Sequence, residues 1–183
     1  MPGTRPLDEA EALRLAAAAA RPDQPGALLA GIEAAAAATI APDLLTVMLL
    51  IEARMEVERL HSSNPGAYPA GGRKAKRSTD WGRQVLTERR PFTGEGEAAI
   101  RAAFDDHAII LGLGLRSVVN MPVVFAGRCL GTVNLLFRSP RLPAGATQAA
   151  ALLALVAIPA LQAALAQRGI ASIDGEPPAP GSP

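Results

Sequence analysis

The fold is decided by residues 117–137, SVVNMPVVFAGRCLGTVNLLF. Two runs of apolar and β-branched residues, Arg116–Phe125 and Arg128–Phe137, are separated by Ala126-Gly127, and this pattern predicts a β-hairpin with a two-residue turn. Pro122 lacks the N–H group that a strand donates to its neighbour, so it marks an edge or a bulge in the first strand. The sequence therefore predicts an antiparallel pair of strands at the centre of a sheet.

A second antiparallel pair is predicted nearer the N-terminus. Residues 44–51 are LLTVMLLI, a short and wholly apolar run typical of a central strand that is covered on both faces. Residues 56–62 follow with partial alternation of apolar and polar side chains and complete a hairpin. Hairpins that are not separated by βαβ units predict an antiparallel sheet.

Helices are predicted towards both ends of the chain, at residues 7–20, 26–39 and 147–167. We expect them to gather on one face of the sheet, which gives a two-layer α+β architecture. Their side chains are mostly alanine and leucine on more than one stripe, so each helix needs cover on more than one side. A second copy of the chain would supply that cover, and a homodimer is therefore expected.

The opposite face of the sheet is left for residues 63–115, which hold glycine, proline and several charged side chains. A pocket between this segment and the sheet is the natural place for a ligand. The local patterns predict a long loop over 63–79, a helix over 81–88 capped by Asp80, a helix over 93–104 capped by Thr93, and a loop over 105–115.

The composition argues against several classes of function. Lysine and arginine number 18 against 17 aspartate and glutamate, a net charge of +1, so charge-driven binding to nucleic acid or to acidic membranes is not expected. The single cysteine, Cys129, allows no internal disulfide and suits a reducing compartment. No secretory leader is recognisable, and the longest apolar run, 149–161, is shorter than the roughly 20 residues of a membrane span. A cytoplasmic protein without a membrane partner is expected.

The order of elements, together with Pro122, Gly127 and the sequence Leu130-Gly131-Thr132, resembles a GAF domain. The resemblance covers residues 26–167, with residues 1–25 as an N-terminal helical extension and residues 168–183 as a disordered tail rich in proline and glycine. It implies an antiparallel sheet of about six strands, terminal helices that dimerise on one face, and a small-molecule pocket on the other.

The most unusual stretch is the basic loop before Trp81. Tyr68 and Trp81 flank Arg73, Lys74, Lys76 and Arg77. An aromatic ring beside cations can hold an anionic or planar ligand by stacking and paired charge. We expect Tyr68 and Trp81 to form an apolar wall or lid, and Arg73 or Lys74 to meet an anionic group. The alternative is a solvated basic loop with one aromatic side chain anchored on the core.

Other polar candidates are Asp105-Asp106-His107, in the segment that should lie over the pocket, and Asn120 on a predicted strand. The acidic pair and the imidazole are expected to contact polar groups of a ligand, although a helix end and a loop anchor explain them equally well. A metal site is not expected, because the only other histidine, His61, is remote in the sequence. Asn120 and Asn134 either line the pocket or bond to backbone at a bulge.

We interpret the chain as a stand-alone binding domain for a small polar or anionic metabolite, in a sensory or regulatory role, with no catalytic residue and no cofactor identified. One alternative is an enzyme related to the free methionine-(R)-sulfoxide reductases, which are also single GAF domains. Those enzymes need several cysteines near the pocket, and Cys129 lies elsewhere. The other alternative is a structural dimerisation or adaptor protein built on the alanine-rich helices.

Overall fold

Six strands form one antiparallel sheet in the computed structural model, which describes residues 6–170. Their order across the sheet is β3-β2-β1-β6-β5-β4. The strands are β1 (Leu44–Ile51), β2 (Glu56–Ser62), β3 (Arg73–Ala75), β4 (Phe92–Glu95), β5 (Ser117–Phe125) and β6 (Arg128–Phe137). The predicted α+β fold and its central strands are confirmed, since β1 and β6 pair with each other in the middle of the sheet.

The helices divide into two groups. The long ones are α1 (Glu9–Ala19), α2 (Gly26–Thr39) and α6 (Ala146–Gln167), and α2 and α6 pack on one face of the sheet. The short ones are α3 (Asp80–Gly82), which continues into a π-helical turn (Arg83–Thr87), α4 (Gly96–Ala103) and α5 (His107–Gly112). These cover the other face.

Alternation along β1 sorts its side chains between the two faces. Leu45, Val47 and Leu49 belong to the large core under α2 and α6, whereas Met48 and Leu50 face the short helices. A strand in which both sets are apolar must be covered on both sides, as its sequence indicates.

Helix α6 is the one helix of residues 6–170 that is long and apolar enough, by length and composition, to cross a membrane; the mean hydropathy of its most apolar 18-residue window is 2.2. In the fold, 44% of that window is buried. Its inner side, including Ala157 and Leu161, is packed in the main core, as in a core helix.

Gly131, in the stretch that carries the family resemblance, marks a close approach between layers. A Cβ atom at this position would lie 1.9 Å from the backbone oxygen of Met48 and 2.8 Å from the Leu161 side chain. The glycine therefore lets β6 lie close to both β1 and α6 at this point. Pro122 lies beyond the last residue of β5 that pairs with β4, and one residue before a bulge.

The local predictions for residues 63–115 need four corrections. The loop over 63–79 contains β3, residues 92–95 form β4 instead of the start of a helix, and residues 107–112 form α5 instead of loop. The cap of α3 is Thr79, whose Oγ1 accepts the Gly82 N–H at 2.9 Å, and not Asp80.

Each correction has a physical cause. β3 and β4 exist because β2 and β5 offer them pairing partners, which are remote in sequence. Gly96 has a φ of +80°, so a helix cannot run through it from Thr93. Asp106, at the start of α5, makes no side-chain capping bond, so the usual signal for a helix start is missing. The predicted tail, residues 168–183, lies outside the described residues from 171 onward.

Candidate ligand-binding cavity

A cavity of about 540 Å³, its open mouth included, lies between the sheet and the short helices. The part of it that water-sized molecules can occupy is about 70 Å³, so the enclosed space is small. Side chains from β1, β2, β5 and β6 form its floor, and residues 68–106 form most of its cover. The lining combines apolar walls with a small number of polar and charged groups, which is typical of a binding site.

Three polar side chains lie side by side on the floor, on three neighbouring strands. Asn134 of β6 stands opposite Thr46 of β1 on one side and Asn120 of β5 on the other. Asn120 Nδ2 donates to Asn134 Oδ1 at 2.8 Å, and Asn134 Nδ2 donates to Thr46 Oγ1 at 3.0 Å. Trp81 Nε1 donates to Asn120 Oδ1 at 2.9 Å and so completes a continuous row. The row satisfies amides that would be costly to bury unpaired.

Apolar clusters lie on both sides of this polar row. One contains Leu44, Ile110 and Leu136 and lies beneath α4 and α5. The other contains Met48, Val57 and the Trp81 ring and lies beneath the π-helical turn. Gly82 allows α3 to reach this position, since a Cβ there would lie 2.2 Å from the backbone oxygen of Lys76. The cavity is thus a polar strip between two apolar walls.

Arg59 brings a buried cation to the cavity. Only 6% of the residue is exposed, and its Cζ lies 4.7 Å from the centroid of the Tyr68 ring. Nη1 donates to the backbone oxygen of Pro69 at 2.9 Å, but Nε is buried and has no hydrogen-bond partner within residues 6–170. Burial lowers the pKa of Arg59, which nevertheless stays charged at neutral pH because a guanidinium is so basic.

Lys74 and Lys76 also line the cavity. Because strand residues two apart share a face, the two lysines point inward while Arg73 and Ala75 point away. Lys76 is only 6% exposed, and its Nζ lies 5.3 Å from the centroid of the Trp81 ring. Within residues 6–170 Lys76 has no ion-pair partner. Burial, and then the neighbouring charge of Lys74, lower the pKa of the Lys76 ammonium.

Asp106 is the carboxylate that lines the cavity. It accepts a hydrogen bond of 3.0 Å from the Tyr68 hydroxyl and a short one from Lys74 Nζ. Burial alone would raise the pKa of Asp106, but the bonds from Lys74 and Tyr68 outweigh it and hold that pKa below its ordinary value. These contacts connect the two parts of the cavity's cover, the segment around β3 and the start of α5. We call the three residues Tyr68, Lys74 and Asp106 the latch.

Of the eight residues that the sequence singled out, five line the cavity: Tyr68, Lys74, Trp81, Asp106 and Asn120. Arg73, Asp105 and His107 do not. Arg73 pairs with Glu58 on the opposite face of the sheet, at 2.7 Å. Asp105 is exposed and borders a separate surface groove. The His107 ring bonds through Nδ1 to the Phe104 carbonyl at 2.9 Å, so it anchors its own turn.

Sequence reasoning missed Arg59 and Thr46 and left the positions of Lys76 and Asn134 open. The signal for Lys76 was its spacing of two from Lys74, which becomes informative once β3 is known to be a strand. Strand β2 has a bulge just after Arg59: Met48 stands opposite Arg59 but Val47 opposite His61, so Leu60 is the extra residue. Arg59 follows the two-residue alternation from Val57 and faces the cavity, whereas the bulge turns His61 to the α2 face, where it contacts Glu33 at 2.5 Å.

Within residues 6–170, the cavity contains neither a cluster that could hold a metal ion nor a cysteine thiol. Within residues 6–170 no group of three or more histidine, cysteine, aspartate or glutamate side chains could hold a metal ion. Cys129 lies outside the cavity and donates to the Gly131 carbonyl at 3.4 Å. Burial raises the pKa of Cys129 to about 11, so the thiol is neutral and weakly nucleophilic near pH 7.

Comparison with known proteins gives a result at the level of structure alone. No model of a protein family matches the sequence, and no curated protein does. The GAF domain of a phosphoenolpyruvate-protein phosphotransferase from Coxiella burnetii is similar to this chain with a TM-score of 0.69 and 12% identity, over 88% of this chain and 96% of that one. The corresponding domain from Acinetobacter gives a TM-score of 0.66 and 15% identity, over 87% and 95%.

The GAF domain of a two-component sensor histidine kinase from Bacillus halodurans is also similar, with a TM-score of 0.59 and 14% identity, over 76% of this chain and 95% of that one. The resemblance first carried by Pro122, Gly127 and Gly131 therefore extends to the whole arrangement of sheet and helices. The chain has the fold of a GAF domain.

Proposed function

We propose that this chain is a sensory domain that binds a small anionic metabolite in the cavity between the sheet and residues 63–115. The observation that carries the proposal is a charge imbalance. Three cationic side chains, Arg59, Lys74 and Lys76, line the cavity, and the one carboxylate among the lining residues is Asp106. Asp106 is already engaged by Lys74, and the two most buried cations, Arg59 and Lys76, form no ion pair within residues 6–170.

The imbalance supports an anionic ligand because the attraction between charges is larger than that of a neutral hydrogen bond. Two unit charges 4 Å apart interact by about 4 kcal/mol at an effective dielectric constant of 20. A neutral hydrogen bond contributes only about 1 kcal/mol net. An anion in the cavity therefore gains more from Arg59 and Lys76 than a neutral ligand gains from the amides of the floor. The amides and apolar walls then select among anions by shape and by hydrogen bonding.

A sensory role is supported by the kind of protein that shares the fold. One similar structure is a domain of a sensor histidine kinase, and two others are domains of phosphotransferase proteins. In this chain an anion would compete with Asp106 for Lys74 and change how firmly the latch holds the cover. A ligand that prefers one state of the cover shifts the population towards that state, which is the physical content of sensing.

The test is a thermal-shift screen of the intact chain against small anions, neutral molecules and cations. A ligand at 100 times its dissociation constant stabilises the fold by about 2.7 kcal/mol. Because Trp81 is the single tryptophan and lies against the cavity, its fluorescence reports whether a hit binds there. We expect anionic hits, lost in Lys76→Met and kept in Arg77→Gln, which removes an exposed cation of the same segment. Hits that are only neutral or cationic would overturn the proposal.

An enzyme of the methionine sulfoxide reductase type would need a reactive cysteine at the cavity. Its nucleophile would have to be Cys129, which lies outside the cavity and is held as a neutral thiol. The adaptor alternative is not exclusive, because the helices that would form such an interface lie on the other face of the sheet from the cavity.

A further inference from the structure

We propose that the ligand is an organic monocarboxylate with an apolar body, and that its carboxylate is held by the free edge of Arg59. This inference rests on the proposed function and deepens it, since it names the chemical class of the anion. Arg59, the apolar walls and the backbone around the cavity each support it.

The guanidinium of Arg59 is held by contacts on one side, and its other edge has no hydrogen-bond acceptor within residues 6–170. Its Cζ lies 4.7 Å from the centroid of the Tyr68 ring, and Nη1 donates to the backbone oxygen of Pro69 at 2.9 Å. Nε and Nη2 form the remaining edge, with two parallel N–H groups, and neither has an acceptor within residues 6–170. Two parallel N–H donors match the two oxygens of a carboxylate.

An unpartnered Nε at this depth is unusual and points to a missing acceptor. Buried side-chain donors are nearly always paired, and leaving one unpaired destabilises the protein. Only 6% of the Arg59 residue is exposed, and its Nε atom is buried. A bound carboxylate would satisfy Nε and neutralise the charge in the same contact.

The cavity lacks the features that usually bind phosphate. Such sites present several free backbone N–H groups, from glycine-rich turns or from the N-terminus of a helix. Among residues 6–170 no glycine lines this cavity, and its floor consists of strands whose amides are used in the sheet. A phosphate ester with a charge near −2 would leave several oxygens unsatisfied here, whereas a carboxylate needs only the edge of Arg59 and the field of Lys76.

The walls predict what the rest of the ligand is like. Leu44, Ile110 and Leu136 at one end, with Met48 and Val57 at the other, offer hydrocarbon surface on both sides of the polar strip. A strongly hydrated body would lose its water without compensation against these side chains. An aromatic or branched aliphatic body would instead gain from burial.

The experiment compares three matched series of probes on the intact chain by thermal shift and titration calorimetry. The first contains monocarboxylates from acetate to 3-phenylpropionate, the second the corresponding phosphate monoesters, and the third the primary amides. We expect affinity for the carboxylates to rise with the apolar body, and to exceed that for the matched esters and amides at least tenfold.

Arg59→Lys keeps the charge and removes the two-pronged edge. We expect it to weaken binding of the best carboxylate at least tenfold, whereas Arg77→Lys, at an exposed site, leaves it unchanged. Equal affinity in Arg59→Lys would overturn the assignment of Arg59. If Arg59→Lys does not fold, the comparison of the three series in the unsubstituted chain still decides the ligand class.

The failures of the two proposals are distinguishable. Binding of phosphate esters without carboxylates would overturn the inference and leave an anion sensor in place. Binding of amides alone would overturn both. A panel in which no carboxylate binds would reject the inference, and the wider screen would then decide the proposed function.

Discussion

At the residue scale, the cavity depends on side chains that satisfy one another. Within the described residues, 6–170, Trp81 is the one donor to Asn120 Oδ1, and Asn120 is buried. Trp81→Phe removes that donor and leaves the oxygen unpaired, so we expect a loss of about 2 kcal/mol in the free energy of unfolding. Denaturant titration measures the loss.

A double-mutant cycle provides the control for this prediction. Asn120→Leu replaces the amide by an apolar group of similar size. In that background Trp81→Phe should lower the free energy of unfolding by clearly less than about 2 kcal/mol. Equal costs in the two backgrounds would mean that the indole N–H contributes nothing and that only ring size matters.

Asp106 makes a second prediction at this scale. Asp106→Asn removes the charge that pairs with Lys74, and we expect the fold to lose about 1.5–3 kcal/mol at neutral pH. Asp105→Asn, at the exposed neighbouring position, is the control and should change stability little.

The pH dependence of this effect has a definite sign. Because the pKa of Asp106 is lowered in the fold, its stabilisation is present above the ordinary value of 3.8 and is lost as the pH falls through the folded pKa. The gap in Tm between the unsubstituted chain and Asp106→Asn should be constant from about pH 5 to 8 and should shrink below about pH 4. A gap that widens in acid would contradict this account of the latch.

At the element scale, Gly131 sets the spacing between β1, β6 and α6. Gly131→Ala would force a Cβ into the Met48 carbonyl, and backbone cannot move aside cheaply. We expect a loss of about 3 kcal/mol, at the upper end of the usual cost of overpacking. Gly112→Ala is the matched control, since a Cβ there meets nothing within 4 Å. Similar Tm values for the two variants would refute the close-approach argument.

Glu58 links two further elements on the helix face of the sheet. Its carboxylate, 8% exposed, bonds to Arg73 of β3 and to Arg168 just after α6. Burial opposes the charge, yet the bonds from Arg168 and Arg73 keep the pKa of Glu58 below its usual value. Glu58→Gln should therefore lower stability by about 2 kcal/mol and speed amide hydrogen exchange in β3 and at the end of α6. Glu56→Gln on the same strand should leave both exchange rates unchanged.

Elements with strong local patterns were predictable from the sequence, and elements that depend on partners were not. β1, β2 and β6 were placed correctly because apolar runs and a two-residue turn define them. β3 has three residues and β4 has four, and each exists only because a neighbouring strand accepts it. No local signal distinguishes such a strand from a loop.

The same limit applied to the candidate site. The rarity of Tyr68 and Trp81 drew attention to the right segment, but choosing between Arg73 and Lys74 requires the register of β3. Arg59 required knowledge of which face of β2 carries Val57, and this follows from how β1 and β2 pair. The composition of the sequence thus pointed to the segment that covers the cavity, whereas the pairing of strands decides which cationic side chains face it.

At the scale of the whole molecule, the helix layer carries an apolar surface that is open to solvent. Leu13 of α1 is 63% exposed, and Leu152 and Leu155 of α6 are 48% and 64% exposed. Leu152 and Leu155 are three residues apart and so share one side of a helix that has no charged residue. We propose that a second copy of the chain covers this face.

Light scattering of the full chain should give twice the 18.8 kDa of one chain at micromolar concentration. Leu155→Arg places a charge in the apolar face and should give monomers. Ile109→Arg is the control, because Ile109 is 52% exposed on α5 in the opposite layer and should not affect the mass. A monomeric unsubstituted chain would reject the proposal.

The row of side chains on the cavity floor has a direction. An indole nitrogen can only donate, so Asn120 and Asn134 are each held in one of two amide orientations, and Thr46 receives the last bond. The Thr46 hydroxyl therefore accepts from Asn134 and has its own hydrogen left to donate. A ligand atom that lies above β1 at this point is favoured if it is a hydrogen-bond acceptor. The floor therefore distinguishes hydrogen-bond acceptors from donors. Of two molecules with equal shape and charge, it prefers the one that places an acceptor at Thr46.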